Sequence, residues 1–134
     1  MKASETNFLK FLQGTKQFII PIYQRKYSWT IEQCKQLWHD ILRASKDDEV
    51  KGHFVGSIVY IEKGLYQISA VPQLLVIDGQ QRMTTLSLVL LALGRAIKDS
   101  NEPHEITSRK IKNYYLVNND EEDDYYHKLL LTQT

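Results

Sequence analysis

The stretch QLLVIDGQQRMTTLSLVL, residues 73–90, decides the fold. Gln73 to Ile77 is a continuous apolar run of the kind an interior strand needs. Asp78-Gly79 punctuates it. From Gln80 onward the apolar spacing turns helical, through Met83, Leu86, Leu90, Leu93 and Ile97. The sequence therefore predicts a central strand that runs straight into a helix. That helix is apolar almost all round and is expected to be buried.

Working outward, His53 to Glu62 alternates and is β-branched, which predicts a strand. Lys63-Gly64 signals a turn, after which Leu65 to Ser69 can return antiparallel. Before these, Thr30 and Gln33 form a capping-box pattern ahead of Ile31, Cys34, Leu37, Trp38, Ile41 and Leu42, the apolar face of a helix. Tyr23 to Trp29 carries no period and reads as a loop. Gln17 to Ile22 is a short β run with Pro21 near its end, and Asn7 to Leu12 is a short helix stopped by Gly14. Downstream, Pro103 is expected to start a helix carrying Ile106, Ile111, Tyr114 and Tyr115. Asn118 to Asp124 is an acidic loop, and Lys128 to Thr132 reads as a strand. An apolar strand so close to Thr134 suggests a piece of a longer protein, so residues 1–134 are read as a single domain, the N-terminal fragment of that protein.

Composition bounds the function. The 134 residues are 43% hydrophobic and 25% charged, with a formal net charge of +1, which excludes global disorder and a strongly basic nucleic-acid coat. The single cysteine, Cys34, can form neither an internal disulfide nor a multi-thiolate zinc site, and a reducing cytoplasm is the simplest compartment. No secretory signal opens the chain, and no apolar run approaches the ~20 residues that span a bilayer. The four histidines lack metal-ligand spacing, and neither G-x-x-x-x-G-K-[ST] nor G-x-S-x-G occurs.

Three segments could carry chemistry. The Asp78 corner delivers polar residues to a helix N-terminus, where N–H groups and the helix dipole favour an anion. Gly79 lets the backbone approach a ligand, and Arg82 can fork onto phosphate oxygens. Asp78 can hold a magnesium-water shell or accept from a ribose hydroxyl, and Gln80 or Gln81 can orient a water. The plainer reading is a turn in which Asp78 is an N-cap. The second segment, Ile20 to Trp29 (IPIYQRKYSW), sets two cations among three aromatics, as base stacking with phosphate contact requires; an amphipathic loop capping the core is the alternative. The third, His53 to Ile58 (HFVGSI), places Gly56 inside a strand, where it marks a close approach or a bulge. Cys34 is read as inert core.

The three motifs occur in order, I-P-x-Y-Q-R-x-Y-x-W, H-F-x-G-x-I and D-G-Q-Q-R-x-T-T-L, and together they resemble the N-terminal domain of GmrSD-type restriction enzymes. The resemblance implies an α+β fold, a small mixed sheet packed with helices, like that of ParB and sulfiredoxin. It implies nucleotide binding and hydrolysis, with magnesium, tied to restriction of phage DNA that carries modifications. Carried onto this sequence, it makes Asp78, Gln80, Gln81 and Arg82 the catalytic element. Tyr23, Gln24, Arg25, Phe54, Gly56, Gly79 and Thr84 are the implied nucleotide-binding set. The helical region and His-Asn-His nuclease domain that usually follow are absent, so this stretch is not expected to cut DNA itself; DNA would be met by the full-length protein. Sulfiredoxin chemistry needs a cysteine where this chain has Gln80 and Gln81, so sulfinic acid reduction is excluded. Two further readings stay open: a ParB-like DNA-binding module in which nucleotide is a switch, and a structural fragment whose pocket another part completes.

Overall fold

A computed structural model describes residues 7–21, 27–46, 58–63, 71–100, 103–104 and 106–131. Asn7 opens the first helix, α1 (Phe8–Leu12): its side-chain oxygen accepts from the Leu9 N–H at 2.9 Å, and Gly14 turns the chain at φ 86°. β1 (Gln17–Ile20) follows, then α2 (Ile31–Lys46), β2 (Val59–Lys63), β3 (Gln73–Asp78) and α3 (Gln80–Asp99). α4 (Ser108–Ile111) runs into a π-helical turn over Lys112–Leu116, and β4 (Leu129–Leu131) completes the sheet.

The sheet order is β2-β3-β1-β4. β1 lies parallel to both β3 and β4, while β2 joins β3 antiparallel, so the sheet is mixed and the fold is α+β. β3 is interior, as its apolar run predicts. Phe18 sits in register between Leu74 on one side and Leu129 on the other. Phe18, Ile19 and Ile20 are all buried, so β1 is covered on both faces. Along β3 only Leu74 and Val76 are buried, and they share a core with Leu12, Phe18, Ile20 and Met83 of α3. Met83 is fully enclosed, which fixes the first turn of α3 against the sheet.

Three expectations shift. α3 is not buried all round: Leu88, Leu91 and Leu93 are 53%, 39% and 47% exposed. Helix α4 begins at Ser108 rather than Pro103, because the Thr107 side chain caps it by accepting from the Lys110 N–H at 3.1 Å. The strand expected from His53 begins, within the described residues, at Val59. The expected turn at Gly64 and return over 65–69 lie outside the described residues, as does His53 to Ser57. At the start of α2 the Gln33 side chain accepts from the Thr30 N–H at 2.8 Å, which is one arm of the predicted capping box.

A buried polar seam holds β4 to β1. Gln17 is fully buried; its amide donates to the carbonyls of Asp124 at 2.6 Å and His127 at 3.0 Å and accepts from Gln73 Nε2 at 2.9 Å. Buried Asn118 donates to the carbonyls of Lys16 at 2.9 Å and Tyr125 at 2.8 Å. Lys128 is 3% exposed, and its ammonium donates to the Leu12 carbonyl at 2.8 Å and to that of Gly14. Burial, reinforced by nearby Lys16, pushes the Lys128 amine down to about 8.

Candidate functional site

At the end of β3 the backbone must reverse from extended to helical within one residue. Gly79 does this at φ 91°, ψ 14°, a left-handed geometry that costs an L side chain about 1–2 kcal/mol. Gly79, not Asp78, is the N-cap residue, and it brings no capping side chain. The exposed Asp78 carboxylate instead accepts from the Gly79 N–H at 2.9 Å. The 20-residue α3 thus starts with its partial positive charge beside an exposed carboxylate, and its first turn carries no acidic residue.

The two glutamines each brace the corner. Gln80 donates through Nε2 to the Ile77 carbonyl at 2.8 Å, folding back onto the end of β3. Gln81 accepts through Oε1 from the Ser28 N–H at 2.8 Å, tying in the segment that leads into α2. One turn on, Thr85 is buried and its hydroxyl shares a 2.7 Å hydrogen bond with the Tyr27 hydroxyl, which also stands 3.3 Å from Cys34 Sγ. Burial and the Cys34 contact push the Tyr27 phenol up, against a smaller opposing pull from Thr85, so it stays protonated at neutral pH. Arg82 is half-buried in the first turn of α3.

The structure therefore brings Asp78, Gly79, Gln80, Gln81 and Arg82 to one strand-to-helix corner and fastens Tyr27 and Ser28 to it. Thr84, one helical turn past Gln80, lines a cavity that runs along α3. Tyr23, Gln24 and Arg25, and likewise Phe54 and Gly56, lie outside the described residues. Sequence reasoning missed the clamp of Tyr27 and Thr85; the alternation of Tyr27 with Trp29 in the aromatic loop, and Thr85 three residues after Arg82, were its only signals. Cys34 is half-buried against that clamp rather than sealed in the core.

The described carboxylate at the corner is Asp78. A single carboxylate suits a magnesium ion that takes most of its ligands from phosphate and water, and does not suit an all-protein cage. Among the described residues no group of three or more His, Cys, Asp or Glu side chains could hold a metal ion, and no helix is long and apolar enough to cross a membrane.

A family model described as GmrSD restriction endonuclease, N-terminal domain, matches residues 8–134. The chain belongs to that family. The match covers the α1-to-β4 fold and all three sequence motifs, and it places this GmrSD N-terminal domain in the setting of restriction and phage defence. No curated protein matches the chain.

Proposed function

We propose that this GmrSD N-terminal domain is a nucleotide-binding, NTP-hydrolysing sensor, on a ParB- and sulfiredoxin-like fold, that serves a cytoplasmic restriction enzyme acting on modified DNA. The observation that carries the reading is the corner itself: a glycine-opened N-terminus of a long helix, an exposed carboxylate and a first-turn arginine at one point. A helix start of this kind favours phosphate, and Arg82 adds a fork of donors. Asp78 would hold magnesium through water, and the bound ion would neutralise phosphate charge. Tyr23, Gln24 and Arg25 stand two to four residues before Tyr27 in the sequence, so the Tyr27–Thr85 clamp supports their membership in the same pocket. Phe54, Gly56 and Thr84 complete the proposed nucleotide-binding set. DNA and the nuclease step belong to the full-length protein in this reading.

One observation favours a second reading, a ParB-like switch that binds nucleotide with little turnover. Gln80 and Gln81, the residues that would orient an attacking water, both make hydrogen bonds that build the corner. Two assays on the full chain separate the readings. A thermal-shift series with ATP, GTP, CTP and UTP plus magnesium reports binding, because a bound ligand stabilises the fold by mass action. Phosphate release reports turnover. A shift with release supports the sensor enzyme, a shift without release supports the switch, and no shift with any of them sinks both. Gln81→Ala should lower turnover at least tenfold if Gln81 orients water. If it acts only by holding Ser28, nucleotide affinity falls instead, with turnover of the bound nucleotide unchanged.

A further inference from the structure

Beyond the corner, α3 repeats a seven-residue pattern of which the nucleotide reading uses only Thr84. Thr84, Leu91 and Lys98 occupy one heptad position, Ser87 and Gly94 a second, and Leu88 and Arg95 a third; all of them line one cavity of about 440 Å³. Three positions per heptad at this spacing are the face one helix shows another. Small residues at Ser87 and Gly94 let a partner backbone approach closely. Near Gly94 the seam is already taken by α4: a Cβ built there would meet Ile111 Cγ2 at 3.8 Å, an ordinary packing distance. Toward the start of α3 it is open, with Leu88 and Leu91 standing 53% and 39% exposed. The opposite wall is Tyr115 and Leu129, and the π turn at Lys112–Leu116 shapes its edge.

Charge says what fits. The lining carries no carboxylate, and its side chains that can bear charge near neutral pH are Arg95, Lys98, Lys112, His127 and Lys128. None of the described helices of this chain would complement that rim. α2 carries Glu32 and Asp40 against Lys35, Arg43 and Lys46; α1 and α4 carry no acidic residue; and α3 carries Asp99 against Arg82, Arg95 and Lys98. We infer that the groove between α3, the π turn and β4 is a docking site for an acidic amphipathic helix of another polypeptide, its leucine-like stripe on Leu88 and Leu91 and its carboxylates on Arg95, Lys98 and Lys112. Like charge on a wrong partner would be penalised there, so the rim sets specificity as well as attraction.

The test uses the full 134-residue chain and a fluorescent peptide about three heptads long, with leucine at the apolar positions and glutamate beside them. A second peptide carries lysine in place of every glutamate. The acidic peptide is expected to bind, seen as a rise in anisotropy, and the basic one to bind roughly tenfold more weakly or worse. Leu91→Asp and, separately, Arg95→Glu should abolish or strongly weaken binding, with circular dichroism confirming that each variant is folded; both side chains are exposed enough to change without opening the core. Ile31→Asp, on the exposed face of α2, should change nothing. Equal binding of both peptides, no binding of either, or binding that survives both groove variants overturns the inference. Self-association in sedimentation equilibrium that Leu91→Asp abolishes would assign the groove to a second copy, and that also overturns it.

Discussion

Two polar constellations interrupt this apolar domain, and they are built on opposite plans. The seam of Gln17, Asn118 and Lys128 is sealed: its members are 0%, 2% and 3% exposed, and they bond to backbone carbonyls that β-pairing leaves over. No buried side-chain polar atom among the described residues lacks a partner. The corner of Asp78 to Arg82 makes comparable hydrogen bonds, yet its carboxylate and first-turn side chains remain open to solvent or half-open. Hydrogen bonding alone therefore does not separate structure from function. Access does: a satisfied and buried group can only stabilise, whereas a satisfied and exposed group can still exchange its partner for a ligand.

The largest contrast should come from Lys128→Met. It leaves the Leu12 and Gly14 carbonyls without their donor, which should cost about 2–3 kcal/mol of stability in urea unfolding. Nucleotide affinity of the folded fraction should not move. A gain in stability would mean that the cost of burying the ammonium outweighs its bonds, and the seam would then be something other than a strut.

Arg82→Ala should do the reverse. Losing a charge-assisted, forked contact should weaken nucleotide binding by about 1.5–3 kcal/mol, roughly ten- to a hundredfold, with the melting temperature almost unchanged. Melting of the domain with normal binding in what survives would make the corner structural too. Gly79→Ala falls between the two. At φ 91° the added Cβ should cost about 1–2 kcal/mol of stability, and because the strain sits at the corner, binding should fall with it. Loss of stability with intact binding would detach the helix start from the ligand.

The remaining effect is a pH slope. The folded Lys128 amine titrates near 8, below its ordinary 10.5, so between those values the unfolded chain binds more protons at this site. Stability from this group is therefore flat below about 8 and rises as pH climbs through the window. Lys16, also lowered by burial, adds a slope of the same sign, and Tyr27, raised, opposes it above 10.0. The urea midpoint of the parent chain minus that of Lys128→Met, followed from pH 7 to 10 at roughly half-unit steps, isolates the term; a difference that does not change with pH would remove the lowered amine from the account.

Much of the corner was legible because it is local. An apolar run, Asp-Gly and a helical period lie within 20 residues, and strand, reversal and helix appear where they predict. The seam was not legible. Gln17 reads as the polar start of a strand and Lys128 as the solvated flank of Leu129 to Leu131. What buries them is pairing between residues more than a hundred positions apart, and no window of sequence holds both partners. The exposed leucines of α3 fall between these cases. Their apolarity predicts burial, and the structure does not bury them: the described fold covers only one side of the helix. The π turn left no trace in the period of Lys112 to Leu116, since the same residues suit an α-helix equally well. Pro103 misplaced the next helix because a threonine cap, Thr107, was available closer to it.

The parallel pairing of Phe18 with Leu129 also has a consequence for birth. A ribosome adding about 5–20 residues each second makes Phe18 roughly 5–20 s before it makes Leu129. During that interval β1, the most deeply covered strand of the finished sheet, can have β3 beside it but not β4, so one side of it stands as an open edge. Nascent chains must cross that period with one edge of QFII unpaired. Completion of the described sheet must wait for β4, so chaperone dependence or misassembly should be greatest for variants that delay its arrival.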